Sequence, residues 1–285
     1  MLSLLLEPFS YNYMTNAIWV SALVGGLCAF LSAYLMLKGW SLMGDALAHS
    51  VVPGVALAYL LALPYAIGAF FAGMLATLSM AIVKSTTKLR EDAIIGLVFT
   101  TFFAVGLLIA SVNPTAVDIQ TIVLGNILAI SGEDTFQVVV ISSVCFLVLG
   151  LKWKDLAALF FDEVHARSIG LSVNLLKILF FTLLSAAAVA ALQTVGAILV
   201  IGMLITPGAT AYLLTDRFGK LVVLSVLLGA GTSGLGAYVS YFLDVSPGGL
   251  IVSLQTALFL LAFLFAPKHG LVSQRRSVRA QRATI

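Results

Sequence analysis

Nine apolar runs follow one another along this chain with little between them. They fall at about 17–37, 42–62, 65–83, 92–111, 135–151, 173–191, 194–214, 220–242 and 249–266. A helix needs about 20 residues to cross a hydrocarbon core of about 30 Å. Backbone in lipid must satisfy its own hydrogen bonds, so runs of this length are predicted to be helices. The expected fold is all-α: a polytopic helical membrane protein with about eight to nine transmembrane helices. Composition agrees. Of 285 residues, 61% are hydrophobic and 9% charged, against roughly 45–50% and 25% in soluble domains. A soluble enzyme, a disordered chain and a nucleic-acid-binding protein are excluded. No sizeable extramembrane domain fits, so residues 1–285 are expected to form one membrane domain.

Charge placement sets an orientation. Lys38 follows the first run, and Lys84, Lys88 and Arg90 the third. Lys152, Lys154 and Arg167 follow the fifth, and Lys177 enters the sixth. Arg217 and Lys220 follow the seventh, and Lys268, Arg275, Arg276, Arg279 and Arg282 the ninth. If the runs alternate in direction, every Lys and Arg lies on one side. The positive-inside rule makes that side cytoplasmic, with the N-terminus outside and the C-terminus inside. The other side carries Glu7, Asp118, Glu133, Asp134 and Asp244. Glu7 is the only charge before the first run, so no basic leader region is present and the first span is expected to stay. The basic tail at 267–285 suits an anionic leaflet, which makes membrane lipid a partner. A shorter apolar run at 119–130 is expected to be re-entrant or interfacial.

Other features read as packing. Cys28 and Cys145 sit in apolar runs and are expected to be small core residues. Gly229, Gly231, Gly234 and Gly236 are expected to allow close helix approach. Pro207, in Thr206-Pro207-Gly208-Ala209, is expected to break or kink a span. No Gly-x-x-x-x-Gly-Lys-Ser/Thr loop is present, so the chain carries no phosphate-binding loop of that kind. No His-Glu-x-x-His is present either.

Ionisable residues inside spans are costly and mark sites by default. They concentrate in one stretch, Ser41-Leu-Met-Gly-Asp45-Ala-Leu-Ala-His49-Ser-Val-Val-Pro53. Asp45 and His49 are four apart and share a helix face. A carboxylate with an imidazole suits Mn²⁺, Fe²⁺ or Zn²⁺. Two side chains are too few for a closed site, and a two-fold dimer would bring a second pair. The plainer alternative is a hydrogen bond that only fixes helix packing. A second stretch, the loop Lys152–Leu171, contains Asp162-Glu163-Val-His165-Ala166-Arg167-Ser-Ile-Gly170. It reads as a short polar surface helix that Gly170 ends as a C-cap.

On these residues the sequence resembles the permease subunit of bacterial ABC importers for manganese, iron or zinc. The resemblance runs from about Pro8 to about Ala266. Its most specific elements are Gly44-Asp45-Ala-Leu-Ala-His49, Phe161–Gly170, and Val195-Gly196-Ala197 running on to Pro207-Gly-Ala209. It implies the architecture of a type II ABC importer and an inner-membrane location. It also implies a homodimer, a separate ATPase and an extracytoplasmic metal-binding protein. The transported metal is then the ligand of Asp45 and His49, with no permanently bound cofactor. Asp162, Glu163, Ala166, Arg167 and Gly170 match the loop helix that docks on the ATPase. Some zinc-importing relatives carry a His where this chain has Thr100, which favours manganese or iron. Thr100, Gln193, Thr206 and Pro207 are further candidates for the pathway or its kinks. The alternatives are a zinc importer of the same kind and an ion-coupled secondary metal transporter. The latter has no use for a docking helix.

Overall fold

A computed structural model describes residues 6–112, 127–266 and 270. The described chain forms eleven α-helices: α1 (Asn12–Lys38), α2 (Ser41–Ser50), α3 (Val52–Leu60), α4 (Tyr65–Thr86), α5 (Glu91–Val112), α6 (Gly132–Phe161), α7 (Glu163–Ser168), α8 (Val173–Val195), α9 (Ala197–Leu214), α10 (Phe218–Leu243) and α11 (Pro247–Phe265). Short 3₁₀ turns cover Glu7–Ser10 and Ile127–Ala129. Among the described residues, eight spans are long and apolar enough to cross a membrane, and Leu199–Leu214 is a shorter apolar helix. The expected helical membrane fold is therefore present. The basic tail and residues 119–126 of the short apolar run lie outside the described residues.

The contacts divide the chain into two compact units, Met1–Gly39 with Gly202–Ile285, and Trp40–Ile201. In the first unit α1 is the central helix. Its Val24, Leu27, Leu31, Tyr34 and Leu35 are fully buried. It is apolar all round, as a helix enclosed by others must be. Small residues let α10 approach it. A side chain on Gly229 would strike Ala29, and one on Gly25 would strike Ser233. The Ser225 hydroxyl donates to the Ala29 carbonyl at 2.6 Å. Gly236 meets Ile251 of α11 in the same way. The expectation fails at Gly231, which faces open space, and Gly234 makes only ordinary contact with Ala22. Spacing in sequence does not say which side of a helix has a neighbour.

Pro207 does not break its helix, which is continuous from Ala197 to Leu214. Proline removes the N–H that would serve the carbonyl four residues back, and helix interiors tolerate this where other groups re-satisfy the backbone. Ser32 of α1 braces the backbone on either side of Pro207. The Gly208 N–H donates to Ser32 Oγ at 3.0 Å, and the Ser32 hydroxyl donates to the Ile205 carbonyl at 3.1 Å.

In the second unit the apolar run at 42–62 is two helices. α2 ends at Ser50 and α3 begins at Val52, with Pro53 in its first turn. Pro53 supplies no N–H to the His49 carbonyl four residues earlier. The Val51 N–H takes that carbonyl instead. α3 crosses α4 closely, since a side chain on either Gly54 or Gly68 would strike the other's backbone. α5 closes on the same break, where Gly106 leaves room for Val52 and Pro53. The span expected to end near Leu151 continues as helix to Phe161. The true connector to α8 is therefore Asp162–Ser172, not the whole of Lys152–Leu171. Charged Lys152, Lys154 and Asp155 suggest a loop in sequence. In the structure Lys152 and Asp155 pair at 3.0 Å along one helix face. Cys28 and Cys145 are both buried thiols, as expected.

Candidate functional site

Asp45 and His49 lie on α2, one turn apart. The His49 Nδ1 is 3.0 Å from Asp45 Oδ1 and 3.2 Å from the Asp45 carbonyl oxygen. The His49 side chain is 20% exposed and that of Asp45 31%, so the pair is sheltered but reachable. Asp45 stands at the middle of α2 and His49 in its last turn, next to the carbonyl end of the helix. That end carries the negative pole of the helix dipole and favours a cation.

The ring of His49 meets two aromatic rings of α5 edge to face. Phe99 lies 5.4 Å away at 79° and Phe103 5.6 Å away at 77°. These two rings are one turn apart and stack on each other at 6.1 Å. They fix the imidazole plane from one side while Asp45 holds Nδ1 from the other. With Nδ1 and Oδ1 turned to each other, Nε2 and Oδ2 are the ligand atoms the pair has left. An imidazole oriented by a carboxylate in this way is a common metal-ligand arrangement. Among the described residues no group of three or more His, Cys, Asp and Glu side chains could hold a metal ion. The described residues of one copy thus offer two such side chains at this place, Asp45 and His49.

The other candidates are placed as follows. Thr100 is exposed on α5, and its hydroxyl donates back to the Gly96 carbonyl at 2.8 Å. Gln193 is near the end of α8, with a buried side-chain oxygen that has no hydrogen-bond partner among the described residues. Thr206 and Pro207 belong to the first unit. The Thr206 carbonyl accepts the Thr210 hydroxyl at 2.7 Å. Phe99, Phe103 and Pro53 are not singled out by the sequence. Pro53 was visible four residues after His49, but the aromatic contacts are tertiary.

The Asp162–Gly170 segment is a small helix fastened at both ends. Asp162 Oδ1 accepts the backbone N–H of Val164 at 2.8 Å and of His165 at 3.2 Å, a side-chain N-cap. At the other end the Gly170 N–H donates to the Arg167 carbonyl and the Leu171 N–H to the Ala166 carbonyl, both at 3.0 Å. That is a Schellman motif, and Gly170 takes the left-handed φ of +84° it requires. Ala166 is fully buried. Glu163 turns inward and pairs with Lys177 of α8 at 2.7 Å. Arg167 is exposed, with Phe161, Val164 and Ile169 exposed around it. Four of the five residues expected to serve coupling thus hold the segment, and Arg167 with three apolar neighbours forms its outer surface.

Comparison with known proteins identifies the family. Residues 10–266 match the family model described as the ABC 3 transport family. The chain is 68% identical over 282 residues to the chelated iron transport system membrane protein YfeC of Yersinia pestis, covering 99% of this chain and 96% of that one. It is 50% identical over 273 residues to the manganese transport system membrane protein MntB of Synechocystis, covering 95% of this chain and 88% of that one. Among solved structures, PsaBC from Streptococcus pneumoniae in complex with Fab superposes with a TM-score of 0.86 at 34% identity. That match covers 96% of this chain and 100% of the other. The helical spans agree with these matches along nearly the whole length: the chain belongs to the ABC 3 transport family.

Proposed function

We propose that this chain is the membrane-spanning subunit of an ATP-driven importer for Mn²⁺ or Fe²⁺, with Asp45 and His49 as the ligands that the metal meets inside the membrane. The observation that carries the reading is the pair itself: a carboxylate and an imidazole pre-set at 3.0 Å on a broken span, half-sheltered from solvent. These donors suit both metals, whereas a thiolate would favour softer ions. Relatives named for iron and for manganese transport support the same choice. Thr100, where some zinc importers carry a His, sets zinc behind them.

Two copies of the chain complete the site in this reading. Each contributes one carboxylate and one imidazole, giving a four-donor cage that can open again. The metal arrives from an extracytoplasmic binding protein. ATP is hydrolysed on a separate subunit, which docks on the outer surface of α7. The whole of 1–285 works as one permease in the bacterial inner membrane. Its Lys- and Arg-rich ends are cytoplasmic, its N-terminus is outside and its C-terminus inside.

The test is uptake of Mn²⁺ and Fe²⁺ by cells that depend on this importer. Asp45→Ala and His49→Ala are each expected to abolish uptake while the protein remains in the membrane at normal level. Normal uptake of both metals by His49→Ala would remove the coordinating role.

A further inference from the structure

Resting on that reading, we propose that Trp40 is a positioning residue that couples α7 to the metal pair. It joins the two helices that frame Asp45 and His49 to the two helices that hold α7.

Trp40 is the N-cap residue of α2 and stands five positions before Asp45, about 7.5 Å along the axis. A shift at the indole therefore moves the ligand helix at its base. The indole Nε1–H donates to Glu91 Oε2 at 2.6 Å. Glu91 is the first residue of α5, the helix that places Phe99 and Phe103 against His49. Lys84 pairs with Glu91, and its ammonium lies 5.7 Å from the Trp40 ring centroid. Trp40 thus fastens the starting ends of both α2 and α5.

On its other side the indole meets the supports of α7. It stacks on Phe181 of α8 at 5.7 Å and 17°, and meets Phe160 of α6 edge-on at 5.7 Å and 70°. Phe160 lies two residues before Asp162, the N-cap of α7. Phe181 lies one turn beyond Lys177, which holds Glu163 of α7. The covalent attachment of α7 and its ion-pair attachment therefore converge on one side chain. A cleft of about 440 Å³ lies beside it, lined by Trp40, Met43, Lys84, Glu91, Lys177 and Phe181 among others, and gives the indole room to change position. Packed side chains of this kind switch between discrete arrangements more readily than they deform. A large rigid ring with one polar atom can carry that switch between four helices.

The experiment uses the full importer, reconstituted in proteoliposomes with its ATPase and metal-loaded binding protein. It reads Mn²⁺ bound by the purified complex, ATP hydrolysis, and Mn²⁺ moved per ATP. Trp40→Leu is expected to bind Mn²⁺ as the unaltered protein does and to keep ATP hydrolysis. Mn²⁺ moved per ATP should fall about tenfold. Trp40→Phe keeps the stack and loses the N–H, with an expected loss of about threefold. Glu91→Gln keeps an acceptor for the indole and should retain the ratio better than Glu91→Ala. Loss of Mn²⁺ binding in Trp40→Leu would overturn the relay, because the residue would then belong to the site's own fold. An unchanged ratio in Trp40→Leu would overturn it too. If Trp40→Leu yields no monodisperse complex, an unchanged ratio in both Trp40→Phe and Glu91→Ala overturns it. Asp45→Ala distinguishes the two readings. Normal Mn²⁺ binding and transport there removes the metal site, whereas a dead Asp45→Ala beside a fully coupled Trp40→Leu removes the relay alone.

Discussion

Ser32 stands in for the backbone at Gly208: its hydroxyl accepts the Gly208 N–H and donates to the Ile205 carbonyl, on either side of Pro207. A buried donor left without its partner costs about 1–3 kcal/mol. Ser32→Ala is therefore expected to destabilise the purified protein by that amount. Ser21 is an internal control. It is equally buried on α1, and its hydroxyl has no hydrogen-bond partner among the described residues. Ser21→Ala should leave the melting temperature in detergent nearly unchanged. Equal shifts for the two variants would mean that Ser32 only fills space.

At the metal pair, charge and geometry can be separated. Asp45→Asn keeps an oxygen that can accept from His49 Nδ1 and loses the negative charge. If Asp45 serves only to orient the imidazole, Mn²⁺ binding survives in Asp45→Asn. If it is also a ligand, binding falls at least as far as the 10–100-fold typical of disturbed outer partners. With Asp45 as a ligand, the larger loss is expected. Equilibrium dialysis of the purified protein against Mn²⁺ measures it.

Gly170 tests the turn that ends α7. Its φ of +84° is strained for any other side chain, at about 1–2 kcal/mol. A side chain built there would strike nothing, so the cost is conformational and not steric. Gly170→Val is expected to leave the permease folded and able to bind Mn²⁺ while uptake falls. The ATPase should co-purify poorly or lose its stimulation. Normal co-purification with normal uptake would leave the segment a simple connector.

Orientation is open to direct labelling. Single cysteines at 84 and 152 are expected to react only after the membrane is made permeable, and those at 133 and 244 in intact cells. Lys84, Lys152, Glu133 and Asp244 are all exposed at helix ends or on outer faces. Labelling of position 152 from outside would overturn the alternation of spans on which the topology rests.

Much of the fold was legible because lipid leaves the backbone few choices. Apolar runs of about 20 residues announce their helices, and the spans fall close to those runs. Asp45 and His49 stood out because ionisable groups inside spans are rare. What escaped notice was of two kinds. One was local but ambiguous. Lys152 and Lys154 look like the end of a span, although α6 continues for several residues beyond them. Pro53 lies in the middle of an apolar run and still divides it into two helices. The other kind was tertiary. No spacing rule connects His49 to Phe99, Trp40 to Phe181, or Ser32 to Gly208. Gly231 was legible in type but not in place, since its side of α10 meets open space.

The six residues of α7 are too few to hold a helix in water on their own. The Asp162 cap, the Gly170 turn and the Glu163–Lys177 pair supply the missing stability. The segment therefore keeps its shape whether or not anything covers it. A protein that grips it has no disordered chain to organise and loses little affinity to ordering. Rigidity also leaves no slack. A push on Arg167, Val164 or Ile169 arrives at α6 and α8 as displacement instead of being dissipated in a bending loop.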